Sequence, residues 1–597
     1  MGLFGWTGQA LRVNLSSGTI TKESLAQKDL TDWIGGRGLG AWIVAREVPA
    51  GCDPLGKDNK LVFAPGPLTG TGVPGAGRFS ASAKSPLTGT IFDSNAGGTW
   101  GVRLKRSGYD ALIIEGEATA PVYLTIFDGR AELHEAGDVW HSDTLDTNKK
   151  LKDKFGGDIS VSCIGPAGEN LVKFASIMND NSRALGRGGL GAVMGKKKLK
   201  AIAVRGSQKV AIANQEKLDF FIYEADKWIR ANPITSQGLP EFGTPVLVNL
   251  FNELGVFPAR NFQDSVFPGA GKISGEAIAR TITTGRRGCY HCPVQCARLV
   301  KTRNGVFKGP EYESIWALGP ECGIGDLETI VEANHMCNRL GLDTITTGVT
   351  IGCAMELQEK GLLDTGLKFG DAPGLLQAIK QIAYREDAGD LLAEGSRSLA
   401  GKCGASGYAM QVKGLELPAY DPRGLQGMGL GLATSNRGGC HLRAYMVGPE
   451  ALGVPKMVDR FSTGGKAGLT ITQQNISAAI DSLIVCRFIN LAVTEEYFAR
   501  ILSAVTGVDY HPQDLHRTGE RIWNLERLYN LRSGLDFSFD TLPPRLLEEP
   551  IREGPSSGRK VELAQMLTEY YRFRSWDEYG VPSAAKIKEL GLEGFSC

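Results

Sequence analysis

The sequence predicts an α+β protein: a β-rich N-terminal part followed by two mainly helical parts. Three observations carry this. Short alternating runs separated by turn residues fill roughly the first 206 positions, the apolar spacing changes to a helical period after about 210, and a Gly/Pro-rich stretch opens near Pro418. The implied domains are residues 1–208, 209–417 and 418–597. In chain order, Gln9–Leu15 and Thr19–Leu25 flank the turn Ser16-Ser17-Gly18 as a hairpin. Strands are also expected at Lys60–Phe63, Phe79–Ala83 and Ala111–Glu115. Val122–Phe127 and Arg130–His134 enclose Asp128-Gly129, the strongest short hairpin signal, and Lys200–Val204 closes the β-rich part. Helices follow at Glu216–Arg230, with Leu218, Phe221, Ile222 and Ala225 on one face, and at Asp326–Leu340, which has acidic residues in its first turn and Gly341 as its stop. Pro373–Ala383, Asp390–Leu399 and Glu495–Val505 complete the helical set.

The chain has 597 residues, 42% hydrophobic and 22% charged, with a net charge of +1. This is ordinary globular composition, so wholesale disorder is excluded and nothing points to nucleic acid as a partner. No secretory or twin-Arg leader pattern opens the sequence, and no apolar run is long enough to span a membrane. Twelve cysteines are too sparse for a disulfide scaffold, so a reducing cytoplasm is the expected setting. Glycine departs from the norm: 78 residues, against an average usage of about 7%. It clusters at Gly35–Gly40, Gly66–Gly77, Asn95–Gly98 and Gly186–Gly191, with Arg37, Arg78, Arg103, Arg183 and Arg187 inside or beside these loops. The last loop fits G-x-G-x-x-G, but Asn179–Leu185 before it reads as a polar loop rather than a strand, so a dinucleotide fold is not expected. Backbone N–H groups at Gly97, Gly98 and Gly186, with Arg78 and Arg183, suit an anionic or polar heterocyclic ligand.

Cys289-x2-Cys292-x3-Cys296 is a thiolate metal motif. An iron–sulfur cluster fits better than zinc: no second C-x2-C follows at zinc-ribbon spacing, Pro293 forces a turn, and Arg286, Arg287 and Arg298 supply offsetting charge. Spacing alone does not choose a fourth ligand; Cys163 and Cys353 lie in apolar surroundings and read as core, and Cys597 is terminal. Glu332 and His335, three apart on one helix face, form a second candidate metal pair.

Dispersed segments in order, Gly35–Gly40, Gly66–Gly72, Gly77–Gly89, Asn95–Gly98, Asn181–Gly195, Cys289–Cys296, Gly309–Glu313, Gly341–Asp343, Lys413–Gly424 and Arg437–Arg443, resemble the aldehyde ferredoxin oxidoreductase family over nearly the whole chain. The resemblance implies a β-rich base under a tungsten bis-pyranopterin, a neighbouring [4Fe-4S] cluster, and a Mg2+ joining the pterin phosphates. Molybdenum is the alternative metal, since pterin sulfurs bind both. By the resemblance, Cys289, Cys292, Cys296 and Cys486 ligate the cluster, Arg78 lies between cluster and pterin, and the carbonyls of Asn95 and Ala184 bind Mg2+. The segments Asn338–Asp343, including Leu342, and Asp481–Cys486, including Val485, resemble its two pterin-binding motifs. Asn338 stands where the family has Asp, and Ile484 where it has Gly.

The metal-pocket segments of the family resemble Gly309–Glu313 and Gly439–His441. They imply Glu313 as general base, with Glu311 as the alternative, and His441 as donor to the substrate oxygen. Glu332 and His335 match an E-x-x-H pair that, in some members, holds a bridging metal at a dimer axis. The expected reaction is oxidation of a small aldehyde to its acid, with electrons passing to ferredoxin or a ferredoxin-like subunit, in a homodimer or hetero-oligomer. Reduction of a carboxylic acid or an aromatic acyl thioester is the second reading, suggested by Cys322 near the Glu pair. An iron–sulfur electron-transfer subunit is the third.

Overall fold

In the computed structural model, which describes residues 3–595, the N-terminal part is two six-stranded sheets. The first contains β1 (Gln9–Asn14), β2 (Thr19–Ser24), β3 (Leu61–Ala64), β4 (Phe79–Lys84), β5 (Ile91–Ala96) and β6 (Ala111–Glu115) in the order β2-β1-β6-β3-β4-β5. The second contains β7 (Val122–Phe127), β8 (Arg130–Glu135), β9 (Ser160–Cys163), β10 (Ile177–Asn179), β11 (Arg183–Leu185) and β12 (Leu199–Arg205) in the order β11-β10-β9-β12-β7-β8. Pairing is antiparallel except for β1 with β6 and β12 with β7. The Asp128-Gly129 turn has positive φ at both residues, 46° and 86°, the twist that joins right-twisted strands.

Two expectations for this part change. Asn179–Leu185 is not a polar loop: its ends pair as the β10–β11 hairpin, with Met178 opposite Ala184. Gly36–Glu47 is not a loop but a buried helix, because glycine lets it approach its neighbours closely. Gly36 has φ 41°, and a Cβ there would lie 2.4 Å from the Asp481 carbonyl oxygen. No side chain fits between these two backbones.

The remainder is mainly helical, as expected, with helices at Gln215–Ala231, Leu327–Leu340, Ala372–Tyr384 and Glu495–Thr506 close to the predicted spans. Asp326 caps the second through the Thr329 amide, and Gly341 ends it at φ 76°. Asp390–Leu399 is not one helix: Gly395 at φ 86° separates Ala388–Leu392 from Ser396–Lys402. The helical part also contains a small antiparallel sheet of β13 (Thr283–Arg287), β14 (Ala297–Thr302) and β15 (Gly305–Lys308). No described helix is long and apolar enough to cross a membrane.

The cores cross the expected boundaries. Leu39, Ile43 and Val44 share a core with Leu483, Leu502, Ile522 and Leu525, and Val172 and Phe174 share one with Trp316, Leu342 and Tyr420. The base and the helical part are also tied by buried charge. Arg37, fully buried, donates from Nε and Nη2 to Glu526 at 2.8 and 2.7 Å. Arg37→Met leaves Glu526 buried without its cation. Loss of one partner of a buried pair costs about 3–5 kcal/mol, so calorimetry should show a clearly lowered melting temperature. An unchanged melting temperature would show that the pair does not hold the parts together.

Candidate active site

The buried charges converge where the base meets the helical part. Asp93, on β5, accepts from Nη2 of Arg443 and lies 3.5 Å from Nε of Arg37. Arg443 Nη1 donates to Asp481 at 2.7 Å. Burial alone would raise the Asp93 carboxyl, but Arg443, Arg37 and Arg437 hold it below its ordinary range. Arg437 donates to the Asp93 carbonyl and, from Nη2, to the Cys440 sulfur at 2.9 Å. Burial pushes the Cys440 thiol up, yet Arg437, Arg443 and Arg187 bring it below its usual value. Arg187, from the fourth glycine loop, donates to the carbonyls of Gly439 (3.0 Å) and Glu416 (2.7 Å) and lies 3.4 Å from Asp343. Asp343 caps the helix Thr344–Glu359 through the Thr346 amide. The two segments resembling pterin motifs, one ending at Asp343 and one opening at Asp481, are thus joined through Arg187, the Gly439–Arg443 turn and Arg443.

The predicted acid–base residues lie in this region. Glu313 stands in the first turn of the helix Tyr312–Leu318. Its Oε2 accepts from the Ala419 amide at 3.0 Å, while Oε1 is buried without a hydrogen-bond partner, 3.5 Å from His441 Nε2. Burial raises the Glu313 carboxyl to about 8. The Ala419 amide and Arg187 oppose this, and Cys440 and Asp343 add to it. His441 is held well below its ordinary value, by burial and then by Arg187, Arg437 and Arg487. Its Nδ1 also lacks a partner. Near neutral pH both groups are therefore uncharged.

Glu311 points elsewhere, because it is the extended residue that precedes the helix Tyr312–Leu318 rather than part of it. Thr244 donates to its Oε2 at 2.7 Å and Lys308 reaches its Oε1 at 2.7 Å. Despite burial, Lys308, Thr244 and Arg183 bring the Glu311 carboxyl down to about 2. Cys322 is enclosed in the helical core, with its thiol donating to the carbonyls of Ala317 and Gly348.

The cysteine motif forms the loop between β13 and β14. Left-handed His291 and Gln295 (both φ 45°) bend this loop back on itself. Cys486 joins it from the helical part, its amide bonded to the Gly75 carbonyl at 3.1 Å. Burial, then Cys486 and Cys289, push the Cys292 thiol up to about 11, while the Val294 and Gln295 amides point at its sulfur. Cys296 is raised by burial, Glu311 and Cys486, and Cys486 by burial against the opposing charge of Arg78. Cys292 and Cys486 feel the charge of Cys289, and Cys292 and Cys296 feel that of Cys486. The cations facing the thiols are Arg183 and Arg78. Arg286 and Arg287 are exposed, and Arg298 donates to the carbonyls of Pro240 and Gln295.

The glycine loops lie against the cysteines. A Cβ on Gly97 would sit 2.6 Å from the Cys289 sulfur. Arg78 donates to the Asn95 carbonyl at 3.0 Å. Thr99 binds Asp180 at the β10–β11 turn, bringing Asn95–Gly98 beside Arg183 and exposed Ala184. Gly186 abuts Asp343, and Leu342 and Val485 are buried. Asn338 lies in the last turn of the helix Leu327–Leu340, its carbonyl accepting from Thr144. Ile484, where a Gly was expected, adopts φ 62°, the left-handed conformation that favours glycine. Cys597 lies outside the described residues.

The residues present fit a large polar cofactor. Asp93 Oδ2, Asn95 Oδ1 and Arg437 Nε are buried without hydrogen-bond partners, and Arg37 Nη1 and Arg187 Nε have only carboxylates at 3.5 and 3.4 Å, beyond good hydrogen-bond geometry. Each such group costs about 1–3 kcal/mol if left unpaired, so together they call for a ligand offering both donors and acceptors. Sequence reading did not single out Asp93 or Glu526, since no local motif marks either, and gave no role to Glu416 or Cys440 within the matching segments that contain them.

The descriptions "Aldehyde ferredoxin oxidoreductase, N-terminal domain" and "Aldehyde ferredoxin oxidoreductase, domains 2 & 3" match residues 10–206 and 221–592. The chain belongs to the aldehyde ferredoxin oxidoreductase family. It is 47% identical to the tungsten-containing aldehyde ferredoxin oxidoreductases of Thermococcus kodakarensis and Pyrococcus furiosus, covering 99% of this chain and 100% of each relative. It is 30% identical to the WOR-like subunit of an aliphatic sulfonate oxidoreductase of Pyrococcus furiosus, over 99% of this chain and 97% of that one. The fold is that of a solved chain of the active-site complex BamBC of benzoyl coenzyme A reductase, with TM-score 0.85 and 22% identity, over 100% of this chain and 98% of that chain.

The Glu313 environment sets a pH test of stability. A folded value near 8 lies above the ordinary carboxyl value, so folding retains a proton that the unfolded chain has released. This contribution is complete below about pH 4.5 and is lost as pH rises through 8. Glu313→Gln removes the dependence. Its stability relative to wild type should therefore rise by roughly 1.4 kcal/mol per pH unit within that window, measured by unfolding at pH 5, 6, 7 and 8. A constant difference would show that the carboxyl is not desolvated.

Proposed function

We propose that this protein oxidises aldehydes to carboxylic acids with a tungsten bis-pyranopterin, passing electrons through a [4Fe-4S] cluster to ferredoxin. The observation that carries this reading is the buried, half-paired Glu313 opposite His441, beside a cradle of Arg, Asp and Asn groups whose hydrogen bonding is incomplete. The curated relatives that share the whole chain length carry the same activity in their names.

When bound, the tungsten cofactor accepts the electron pair of the aldehyde. Cys289, Cys292, Cys296 and Cys486 would hold the cluster. Arg78, Arg183, Gly97, Gly98, Gly186, Asn338, Leu342, Asp343, Asp481 and Val485 would line the pterins, with the Asn95 and Ala184 carbonyls offering hard oxygen to Mg2+. Neutral His441 donates a hydrogen bond to the substrate oxygen. Glu313, once deprotonated, takes the proton released as water adds its oxygen, and its placement in a dry pocket matches its proton affinity to near-neutral pH. Glu311, held as an anion by Lys308 and Thr244, has no proton-accepting role at this pH. The acyl-thioester alternative was suggested by Cys322, whose thiol is directed into the helical core.

The purified protein should contain about one tungsten per four irons and reduce ferredoxin or viologen dye with some member of an aldehyde panel. Turnover should rise through about pH 8 as Glu313 loses its proton. Glu313→Gln should lower turnover roughly 100- to 10,000-fold with both metals and the Michaelis constant little changed, while Glu311→Gln stays active. Full activity in both variants would remove the protein base from the mechanism.

Glu332 and His335 we assign to a bridging metal between two copies. Burial, only partly countered by Glu332, keeps His335 below its usual value, leaving a neutral imidazole able to ligate. Phe307 stacks on the ring at 3.8 Å and Asn304 donates to Glu332 at 3.1 Å. Glu332→Ala with His335→Ala should shift the protein from dimer to monomer on sedimentation while tungsten and turnover stay near wild type. Loss of turnover with the dimer intact would place the pair in the chemistry.

A further inference from the structure

We propose that the β13–β14 hairpin is the docking surface for a small acidic electron carrier, centred on Arg286, Arg287 and His291. The inference rests on the reading that ferredoxin receives the electrons, and adds where and by what charge it binds. Electron transfer between proteins falls steeply with distance, so the carrier must approach the thiols nearest the solvent. Cys289 and Cys292 are only half-buried and line an open depression with Gly72, Asp226, His291 and Gln295.

The hairpin strand that leads into that depression is basic, with Asp226 the one carboxylate on the depression's lining. No Asp or Glu occurs between Glu276 and Glu311, whereas Arg286 and Arg287, at the end of β13 next to the cysteine loop, are exposed. In a chain of net charge +1, this is a local concentration of positive charge. The cluster does not account for it, because Arg183 and Arg78 face the thiols. Arg303 is bridged to Glu328 at 3.4 Å, but among the described residues no carboxylate pairs with Arg286 or Arg287. Both guanidinium groups stand within a few residues of Cys289, on the strand that leads into the cluster loop. Exposed arginines beside an aromatic anchor are the composition of a binding patch. Tyr223, 58% exposed, supplies the anchor from the helix whose Ile222 and Asp226 also line the depression. An acidic partner would be steered to this patch and held within the roughly 10 Å screening length at 0.1 M salt.

The electron count is simple. An aldehyde and water yield a carboxylate, three protons and two electrons. Each electron leaves singly through this face, so two oxidised carriers are reduced per turnover.

The test is charge reversal in the holoenzyme, Arg286→Glu with Arg287→Glu, assayed with ferredoxin and separately with a viologen dye. Iron content, cluster absorbance and dye-linked turnover should match wild type. The Michaelis constant for ferredoxin should rise on the order of tenfold at low salt, and its salt dependence should flatten. Lys360→Glu, at a remote exposed position, should change none of these. If wild type reduces ferredoxin and the double variant does so with an unchanged Michaelis constant, the docking surface lies elsewhere and this proposal alone fails. A change of oligomeric state with no change toward ferredoxin would make the patch a subunit interface and overturn it equally. If wild type reduces the dye but not ferredoxin, the partner reading fails, and the docking proposal with it. Should the double variant lose iron, Arg287→Gln, read for the same Michaelis constant, decides the question.

Discussion

The buried ion network around Arg37, Asp93, Glu526, Arg443 and Asp481 is the constraint on which the rest depends. Its members come from the first glycine-rich segment, the edge strand β5 of the base, and three separate stretches of the helical part. Removing that much charge from water is costly, and mutual attraction repays it only where the geometry is good and further hydrogen bonds satisfy what remains. Here Arg37 is matched by both oxygens of Glu526, and Asn436 adds a hydrogen bond to Glu526 at 3.1 Å. The pairing stays incomplete: Asp93 Oδ2 and Arg437 Nε have no hydrogen-bond partner, and Arg37 Nη1 only Asp481 at 3.5 Å. A network complete toward the core and open on the other side is rigid yet able to bind.

The same burial sets the chemistry. Glu313 and Glu311 are two residues apart, yet their proton affinities are driven in opposite directions: one is desolvated with a single amide partner, the other bound by Lys308 and Thr244. Environment, not residue type, separates a base tuned to neutral pH from a fixed anion. Arg187 links this pair to the cradle, because its charge acts on both Glu313 and His441 while its hydrogen bonds fix the Glu416 and Gly439 backbones. The glycine at 97 does comparable work for the cluster, letting the loop backbone lie against Cys289 where any side chain would collide.

The cysteine hairpin sits between these interior features and the solvent. Its inner side meets Arg78 and Arg183, and its outer side carries arginines without carboxylate partners. One short segment therefore separates two uses of positive charge: neutralising buried thiolates, and presenting charge to water.

The sequence by itself determined the period change near residue 210, the Asp128-Gly129 hairpin, the Asp326 and Gly341 helix ends and the three-cysteine spacing, because each depends on local geometry or on residues a few positions apart. Resemblance to a known family supplied Cys486, Glu313 and His441. Tertiary structure decided the rest. Glycine composition did not distinguish a ligand loop from the close-packed helix Gly36–Glu47, since what requires glycine there is the Asp481 backbone, far along the chain. Polar Asn179–Leu185 read as a loop because its β10–β11 pairing is fixed by the neighbouring sheet, and Glu313 could not be told from Glu311 by spacing. Glu526 and Asp93 carry no local signal at all. Their charges have meaning only when folding removes water around them and brings distant arginines within hydrogen-bond reach.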